Sequence, residues 1–554
     1  RPVSNLSPTP GRSIGAGYDP TVRRRASTCK AAAMANDPRS DVLRHADTAM
    51  VSTIDPLATS AGVDAMAAGG NAVDAAIAAN SVLAVTAQHM CGLGGDLFAL
   101  VHIGTGPPAC LNASGRAGSG ADPAALLAEG SSQMPHRGDV RSIPVPGCAD
   151  GWWALHQRFG SLPMADLLAP AIHLATDGFA ASPLLAGMAV QVRDVHGAQD
   201  FAGLTGPGGR VTRPGVAAVL RSLAEDGRDG VYLGAFGEEL LAVGGGEYSA
   251  SDLATPGADW VDPLGLEIWG HRVWTVPPNS QGYLALAAAR IAEGLDLPRE
   301  DDPLRAHLLV EAARMAGHDR PDVLHEHADG RALVDDARLG ARRAAIRRDS
   351  TATLGDAWRD GDTTYLCAVD GNGMGVSLIQ SNADGFGSHL TLPDLGVFLH
   401  NRGIGFNLDP GHPACYGPGR RPPHTLAPAL VTRPDGRLRA VLGTMGGDAQ
   451  PQIVLQMLVR MLLDGADPGH VVGGGRWVLT GGGTGFSTWD DPDALKVVVE
   501  EHAPSSWVPG LNQRGHTALV DSVNFGHAHC IEVTDDGLRG AADPRSLIGE
   551  AAGF

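Results

Sequence analysis

Residues 362–382 read Asp-Thr-Thr-Tyr-Leu-Cys-Ala-Val-Asp-Gly-Asn-Gly-Met-Gly-Val-Ser-Leu-Ile-Gln-Ser-Asn. Two strand-like runs, 364–370 and 375–380, flank Gly371-Asn-Gly373, and this pattern predicts a β-hairpin. The preceding residues 320–361 are charged and polar and predict a surface helix. The abrupt change in composition therefore predicts that a buried sheet begins near residue 363.

Thr363 is the candidate nucleophile at this boundary, although a threonine after an aspartate is also common at the start of a strand. A threonine hydroxyl needs a base before it can attack a carbonyl. If the chain is cut before Thr363, the new α-amine supplies that base, because α-amino groups titrate near pH ~7.7–8.0. Downstream, Gly446 and Gly447 follow a predicted strand and precede a predicted helix. Their backbone N–H groups are therefore positioned to stabilise an oxyanion.

The rest of the chain predicts mixed helices and strands. Asp55-Pro56 starts a helix, and Asn71 caps a second, almost wholly apolar helix to about residue 85, which we expect to be buried. Cys91-Gly-Leu-Gly-Gly95 is interpreted as a helix-to-strand turn, because a phosphate loop needs the opposite order of elements. Near the C-terminus the pattern predicts a strand pair at 516–520 and 528–534.

Composition narrows the functional classes. The 554 residues carry 42 Lys and Arg against 61 Asp and Glu, a net charge of −19, which argues against nucleic acid as a partner. No apolar run approaches the ~20 residues that span a bilayer, so no membrane partner is expected. The seven cysteines are scattered without a Cys-x-x-Cys pair, which favours a reducing, cytoplasmic setting. Residues 1–49 are polar and are predicted to form a mobile tail.

Ten short motifs occur along residues 50–554 in the order found in one family. They are Pro56-Leu-Ala-Thr59, Gly69-Gly-Asn-Ala-Val-Asp-Ala-Ala76, Cys91-Gly-Leu-Gly-Gly95, Val145-Pro-Gly147, Pro170-Ala-Ile with Asp177-Gly-Phe179, Val276-Pro-Pro-Asn-Ser280, His307-Leu-Leu-Val-Glu-Ala312, Asp362-Thr-Thr364, Gly446-Gly447 and Asp543-Pro-Arg545. With these motifs the chain resembles the gamma-glutamyltranspeptidase family of N-terminal nucleophile hydrolases.

The resemblance implies an α+β fold, a four-layer αββα sandwich built from two subunits of one cleaved precursor. It implies autocatalytic cleavage between Asp362 and Thr363, giving a large subunit (50–362) and a small catalytic subunit (363–554) that stay associated. Thr363 is then the nucleophile, Gly446 and Gly447 form the oxyanion hole, and no cofactor or metal is required. By the same resemblance Asn382 contacts the substrate, and Ser381 takes part in processing.

The chain departs from the family where the substrate's amino-acid end is bound. Ser114 stands at the position of the family's carboxylate-binding Arg, with Arg116 two residues later. In the segment that supplies the ammonium-binding Asp, Gly405 occupies that position, and Asn401 and Arg402 precede it. His424-Thr425 replaces a Ser pair. Because a cation has replaced an acceptor, we predict that Arg402, Arg116, Asn401, His424 and Thr425 contact a small substrate with a carboxylate and no ammonium.

This pattern is similar to a gamma-glutamyltransferase-like branch that includes oxamate amidohydrolase and actinobacterial members of antibiotic pathways, which remove an oxalyl group. The predicted function is therefore removal of an oxalyl-type acyl group by amide or C–C hydrolysis. Three alternatives remain open at this point: ordinary γ-glutamyl hydrolysis or transfer, an unprocessed binding module, and a metal enzyme using His527-Ala-His529. The histidine pair lacks a third ligand at matching spacing, so we favour no metal.

Overall fold

The computed structural model describes residues 42–352, 362–481, 488–489, 495–521 and 525–554. The side chains of Asp362 and Thr363 lie outside this description. So do residues 1–41, which make up most of the predicted tail. Within the described ranges, no helix is both long enough and apolar enough to cross a membrane.

Two seven-stranded antiparallel sheets form the centre of the molecule. The first has the order β1-β20-β19-β15-β14-β9-β8, and the second has the order β21-β2-β10-β11-β3-β4-β7. The first sheet comprises β1 (Leu43–Ala46), β8 (Leu264–Ile268), β9 (His271–Thr275), β14 (Ala429–Thr432), β15 (Leu438–Thr444), β19 (Ala528–Thr534) and β20 (Gly537–Ala542). The second comprises β2 (Met50–Thr53), β3 (Asp96–His102), β4 (Ala109–Ala113), β7 (Asp259–Val261), β10 (Asp362–Val369), β11 (Gly375–Ala383) and β21 (Glu550–Gly553).

Three smaller sheets complete the strands. They are β5 (Phe179–Ala180) with β6 (Arg210–Val211), β12 (Thr391–Leu392) with β13 (Val397–Phe398), and β16 (Trp477–Thr480) with β17 (Lys496–Val499) and β18 (Thr517–Val520). The predicted pairing of 516–520 with 528–534 is wrong, because β18 pairs parallel with β17 while β19 pairs with β15 and β20. Both strands were recognisable locally, but the nearby strands β17 and β20, with which they pair, were not predicted from the sequence.

Several of the helices in the described residues pack on the outer faces of the two large sheets. The α-helices of these residues are α1 (Pro56–Ala67), α2 (Ala72–Thr86), α3 (Pro123–Ala128), α4 (Cys148–Phe159), α5 (Met164–Asp177), α6 (Pro183–Met188), α7 (Pro214–Tyr232), α8 (Ala235–Gly244), α9 (Ala250–Ala254), α10 (Tyr283–Glu293), α11 (Pro303–Gly317), α12 (Arg320–Val323), α13 (Gly330–Leu333), α14 (Asp336–Ala345), α15 (Gln450–Leu458), α16 (Pro468–Gly473) and α17 (Trp507–Gln513).

Local signals explain the first two helices. The Asp55 carboxylate accepts a hydrogen bond from the Leu57 amide, and proline starts α1 directly after it. Asn71 and Asp74 form a reciprocal capping box at the start of α2. Every residue of α2 is buried, as its unbroken apolar sequence predicts.

Three apolar clusters define the layers. One contains side chains from both large sheets, including Phe98, Tyr365 and Val441, and fills the space between them. A second joins the other face of the second sheet to helices such as α2 and α5. A third joins the other face of the first sheet to helices such as α10, α11 and α15. Each sheet is therefore covered by its partner sheet on one face and by helices on the other.

The folded unit begins earlier than the sequence indicates. Leu43–Ala46, which the sequence assigns to the mobile tail, form the edge strand β1 and pair with β20. Two of these four residues are exposed, so the segment has little apolar periodicity. Backbone hydrogen bonds to β20 hold this segment in the sheet, and composition alone, which put the boundary at residue 50, does not reveal them.

Candidate active site

The candidate nucleophile, Thr363, lies near the start of β10, next to Ser381 of β11. In a β-bulge, two residues of β11, Ser381 and the residue after it, lie opposite the single residue Thr363. Ser381 pairs on its other side with Asp96 of β3. Further along β10, the ring of Tyr365 packs so closely on Gly443 of β15 that a Cβ there would lie 2.4 Å from it. The backbone of Thr363 therefore lies beside Ser381, two residues before the tyrosine that packs on β15.

Gly446 and Gly447 form the turn that follows β15. Gly446 has φ 134° and Gly447 has φ 55°, conformations that favour glycine. Within the described residues, neither amide N–H donates a hydrogen bond. The Gln281 side-chain amide donates to the carbonyls of Gly447 and Thr425, both at 3.0 Å. This side chain holds the glycine turn against the segment that carries Thr425.

Arg402 is the centre of a buried polar cluster. Its guanidinium donates to Thr425 Oγ1 at 2.8 Å and to Ser381 Oγ at 3.0 Å. Its Nε lies 3.4 Å from the Asp96 carboxylate, which also contacts His424 Nε2 at 2.5 Å. The cluster therefore joins three predicted site residues, Arg402, His424 and Thr425, to Ser381, which lies opposite Thr363 in the sheet.

The charge state of this cluster follows from its burial. Burial opposes ionisation of Asp96, but His424 and Arg402 hold the pKa of that carboxyl well below its usual value. Burial and then the charge of Arg402 lower the pKa of His424 to about 4. Near neutral pH, His424 is therefore a neutral imidazole, and the Asp96 carboxylate balances the charge of the Arg402 guanidinium.

The backbone around Gly405 has no room for a side chain. Arg402–Gly405 form a single turn of 3-10 helix. A Cβ at Gly405 would lie 2.4 Å from the Pro423 carbonyl oxygen, and one at Gly403 would lie 2.7 Å from the Ser142 carbonyl oxygen. A side chain at position 405 therefore does not fit this backbone.

A cavity opens beside Arg402 and encloses about 60 Å³ of space for water-sized molecules. Its lining includes Arg320, Arg402, Gly405, Phe406 and Thr425. The arrangement can hold a small anionic group, because two guanidinium side chains line it and carboxylate side chains are not among its described lining residues.

The two predicted asparagines lie near the cluster without lining the cavity. Asn382 donates through its side-chain amide to the Gln88 carbonyl at 3.0 Å. Asn401 donates to the His136 carbonyl at 2.8 Å and accepts from the Asp384 amide at 3.1 Å. Both amides therefore form hydrogen bonds with backbone groups of neighbouring loops, and their predicted substrate contacts remain predictions.

Arg116 is placed differently from the sequence expectation. Its guanidinium contacts Glu326 at 2.5 Å and Asp259 at 3.0 Å, and it donates to the Gly419 carbonyl at 2.9 Å. The side chain is 36% exposed and does not line the cavity. The structure does not bring Arg116 to Arg402, because two carboxylates outside the cavity bind it instead.

Sequence reasoning missed four residues of the site region: Asp96, Gln281, Arg320 and Asp448. One signal was available for Asp96, since a carboxylate directly before an apolar strand needs a buried partner. The partner, His424, lies 328 positions away, and one sequence does not reveal such a pairing.

The histidine pair proposed as a metal alternative has other contacts. His529 Nδ1 lies 3.0 Å from Ser52 Oγ, in a hydrogen bond between the two sheets. Among the residues described, no group of three potential metal-ligating side chains converges. The described geometry gives this alternative no support.

Comparisons with known proteins agree with the motif order. The Gamma-glutamyltranspeptidase family model matches residues 58–553. An oxamate amidohydrolase proenzyme of Klebsiella pneumoniae is 35% identical, over 90% of this chain and 97% of the relative. A glutathione hydrolase-like proenzyme of Bacillus subtilis is 34% identical, over 88% of this chain and 95% of the relative.

A solved structure supports the same assignment. The crystal structure of a cephalosporin acylase from Bacillus halodurans superimposes with a TM-score of 0.84 at 33% identity, covering 92% of this chain and 97% of the other. These relatives are named as hydrolases or acylases, and the two from the sequence comparison are named as proenzymes. The chain is therefore an enzyme, and it belongs to the gamma-glutamyltranspeptidase family.

Proposed function

We propose that this enzyme is an autoprocessing hydrolase with Thr363 as its N-terminal nucleophile, and that it removes a small oxalyl-type acyl group. In this proposal the chain cuts itself between Asp362 and Thr363 and folds as the αββα sandwich of N-terminal nucleophile hydrolases. Residues up to 362 form the large subunit, and 363–554 form the small one. The proenzyme names of its relatives support the cleavage step.

The observation that carries the substrate proposal is the cavity at Arg402. A γ-glutamyl substrate presents an ammonium group, which here would meet two buried guanidinium groups. An oxalyl group presents a carboxylate next to the scissile carbonyl, and that carboxylate suits the same donors. Ordinary γ-glutamyl transfer is therefore not favoured.

The proposed mechanism uses the chain's own groups. The Thr363 hydroxyl attacks the scissile carbonyl and gives its proton to the Thr363 α-amine. The amides of Gly446 and Gly447 stabilise the oxyanion, a role supported by the fact that neither N–H donates a hydrogen bond within the part of the chain that the structure describes. Collapse expels the leaving nitrogen or carbon, which takes the proton from the amine and leaves an ester on Thr363. Water, activated by the same amine, hydrolyses the ester and releases the oxalyl acid.

The decisive experiment compares two chromogenic amides on the processed enzyme. N-(4-nitrophenyl)oxamate carries the oxalyl group, γ-glutamyl-p-nitroanilide carries the ammonium, and both release 4-nitroaniline. We expect kcat/KM to favour the oxamate at least about 100-fold, because roughly 2.7 kcal/mol separates a paired from a repelled substrate charge in such a site. An equal or reversed preference would refute the oxalyl proposal and restore γ-glutamyl hydrolysis.

A further inference from the structure

A second arginine faces the cavity and has few partners of its own. Arg320, at the start of α12, is 6% exposed and lines the cavity together with Arg402. Its Nε has no hydrogen-bond partner in the described structure. Within the described ranges its ion pair is with Asp448, at 3.5 Å from Nη2. A buried guanidinium with so few acceptors is costly unless a ligand supplies them.

The paired carboxylate is equally incomplete. Asp448 directly follows the glycine turn and is fully buried. The Thr488 backbone amide acts on its carboxylate, but neither oxygen has a well-formed hydrogen bond within the described residues. It lies within electrostatic range of both Arg320 and Arg402, and burial raises its pKa against their influence. Asp448 thus lies close to both arginines without saturating the donors of Arg320.

The two arginines differ in how they are held. Arg402 is fixed by Thr425, Ser381 and Asp96, so its orientation is set before substrate binds. Arg320 reaches the same cavity from a different element, and its position depends on the long contact to Asp448. One carboxylate has two oxygens and about four acceptor positions, enough for both guanidinium groups.

We propose that Arg320 and Arg402 form a two-arginine clamp for the single carboxylate of the acyl group. This inference rests on the proposed function and identifies the substrate class as acyl groups with a carboxylate next to the scissile carbonyl. Arg402 supplies the pre-set half of the clamp, and Arg320 closes on the ligand. Oxalate, the released acid, is then a competitive inhibitor held by the same clamp.

The test uses the processed enzyme, two substrates and one inhibitor. N-(4-nitrophenyl)oxamate is compared with its neutral amide, N-(4-nitrophenyl)oxamide, and oxalate is titrated as inhibitor. The variants are Arg320→Gln and Arg320→Lys, with Arg299→Gln as control, because Arg299 is an 89% exposed arginine paired with Asp301. Subunit composition on a denaturing gel and Tm confirm processing and folding of each variant.

We expect Arg320→Gln to raise KM for the oxamate and Ki for oxalate at least about tenfold, with KM for the neutral oxamide changed less than twofold. The value of kcat changes little, because the clamp binds ground state and transition state alike. Arg320→Lys keeps the charge without the planar fork and is expected to raise the oxalate Ki about threefold. The control variant stays at wild-type values.

Three outcomes overturn the clamp. Equal KM increases for the charged and neutral substrates would show that Arg320 only supports the fold. An unchanged oxalate Ki in Arg320→Gln would show that it does not contact the carboxylate. If that variant fails to process, a wild-type oxalate Ki in Arg320→Lys overturns the proposal instead. Failure of the oxalyl function is separate: it appears as a preference of wild-type enzyme for γ-glutamyl-p-nitroanilide, and the oxalate Ki remains measurable with that substrate.

Discussion

Two buried clusters in this molecule each combine two arginines with two carboxylates, and they differ in how completely those groups are paired. In the structural cluster, Asp543 accepts from Arg476 at 2.7 Å and from Arg545 at 2.9 Å, and Glu500 contacts Arg545 through both oxygens at 2.6 Å. Backbone amides bind the same carboxylates, including that of Ala528 at 2.8 Å. Every carboxylate oxygen there has a partner.

The cavity cluster contains Asp96, Asp448, Arg320 and Arg402. One oxygen of Asp96 accepts no hydrogen bond from the described residues, and Asp448 has only a weak contact with the Thr488 backbone amide besides its long ion pair to Arg320. Buried charges normally have their hydrogen bonds satisfied, and exceptions concentrate where a ligand completes them. The comparison teaches that residue types do not separate a structural ion cluster from a binding site. The pairing of the carboxylates does, since Arg476 Nε in the structural cluster and Arg320 Nε at the cavity both lack a hydrogen-bond partner within the described residues.

The largest expected effect is the loss of cleavage and turnover in Thr363→Ala, which tests whether Thr363 is the nucleophile. Thr363→Ala should leave an uncleaved chain near 57.1 kDa without measurable turnover, since it removes both the attacking hydroxyl and the processing nucleophile. A denaturing gel shows the single band, and Edman sequencing of the wild-type small subunit should begin Thr-Thr-Tyr-Leu. A wild-type chain that is active while uncut would place the nucleophile elsewhere.

The next effect concerns the glycine turn. Gly446→Ala should lower kcat by about 10²–10³ while leaving the fold intact, because loss or displacement of one oxyanion donor costs roughly 2.7–4 kcal/mol. A Cβ at position 446 meets only ordinary contacts, the nearest at 3.5 Å, but φ 134° strains an L-residue. Steady-state kinetics on cleaved protein measures the change. Wild-type turnover in this variant would show that the turn only connects a strand to a helix and does not bind the oxyanion.

A substitution in the structural cluster should lower the stability of the fold and leave substrate binding unchanged. Asp543→Asn removes the shared partner of Arg476 and Arg545 and is expected to lower the free energy of unfolding by about 3–5 kcal/mol. The KM for N-(4-nitrophenyl)oxamate should stay within twofold of wild type. Urea denaturation and steady-state kinetics measure the two quantities. A raised KM with unchanged stability would show that the Asp543 cluster binds substrate and does not stabilise the fold.

A smaller effect is expected in the pH dependence of stability. The pKa of His424 is lowered to about 4 in the folded protein, from a model-peptide value of ~6.5. The unfolded chain therefore binds more protons between these values, so stability is full above pH ~6.5 and falls as the pH drops toward ~4. His424→Gln should flatten that slope by on the order of 1–3 kcal/mol in urea titrations from pH 7 to 4.5. An unchanged slope would show that the other buried histidines account for it.

The smallest expected effect is at Arg116. Because its side chain is partly exposed and bound to Glu326 and Asp259, Arg116→Ala should change kcat/KM less than twofold and stability by less than about 1 kcal/mol. Kinetics with N-(4-nitrophenyl)oxamate measures this directly. A tenfold rise in KM would restore Arg116 as a substrate ligand and weaken the case for Arg320.

Local signals in the sequence predicted much of the second sheet and its helices. The helix caps at Asp55 and Asn71 are each encoded within a few residues. So is the hairpin turn Gly371-Asn-Gly373 between β10 and β11. Pairing was harder to predict, as the misassigned partner of β18 shows, because β18 pairs with β17, a strand that the sequence pattern did not predict.

The site divides in the same way. Arg402, His424 and Thr425 were found through the resemblance and do lie together in the structure. Asp448 and Arg320 were not found, because each looks ordinary in its own segment. Their significance comes from unsatisfied hydrogen bonding around a shared cavity, a property of the folded chain.

The order of strands in the second sheet has a further consequence for the mature enzyme. β10 lies between β2 and β11, and β11 pairs in turn with β3, so segments from both sides of the Asp362–Thr363 bond alternate within one sheet. Once that bond is cut, as we propose, the two polypeptides are interleaved and dilution alone does not separate them. Cleavage instead makes refolding more difficult. The precursor refolds as one chain, whereas the two polypeptides of the denatured mature protein must reassemble in a second-order, concentration-dependent step. Its lifetime is then governed by how slowly it unfolds.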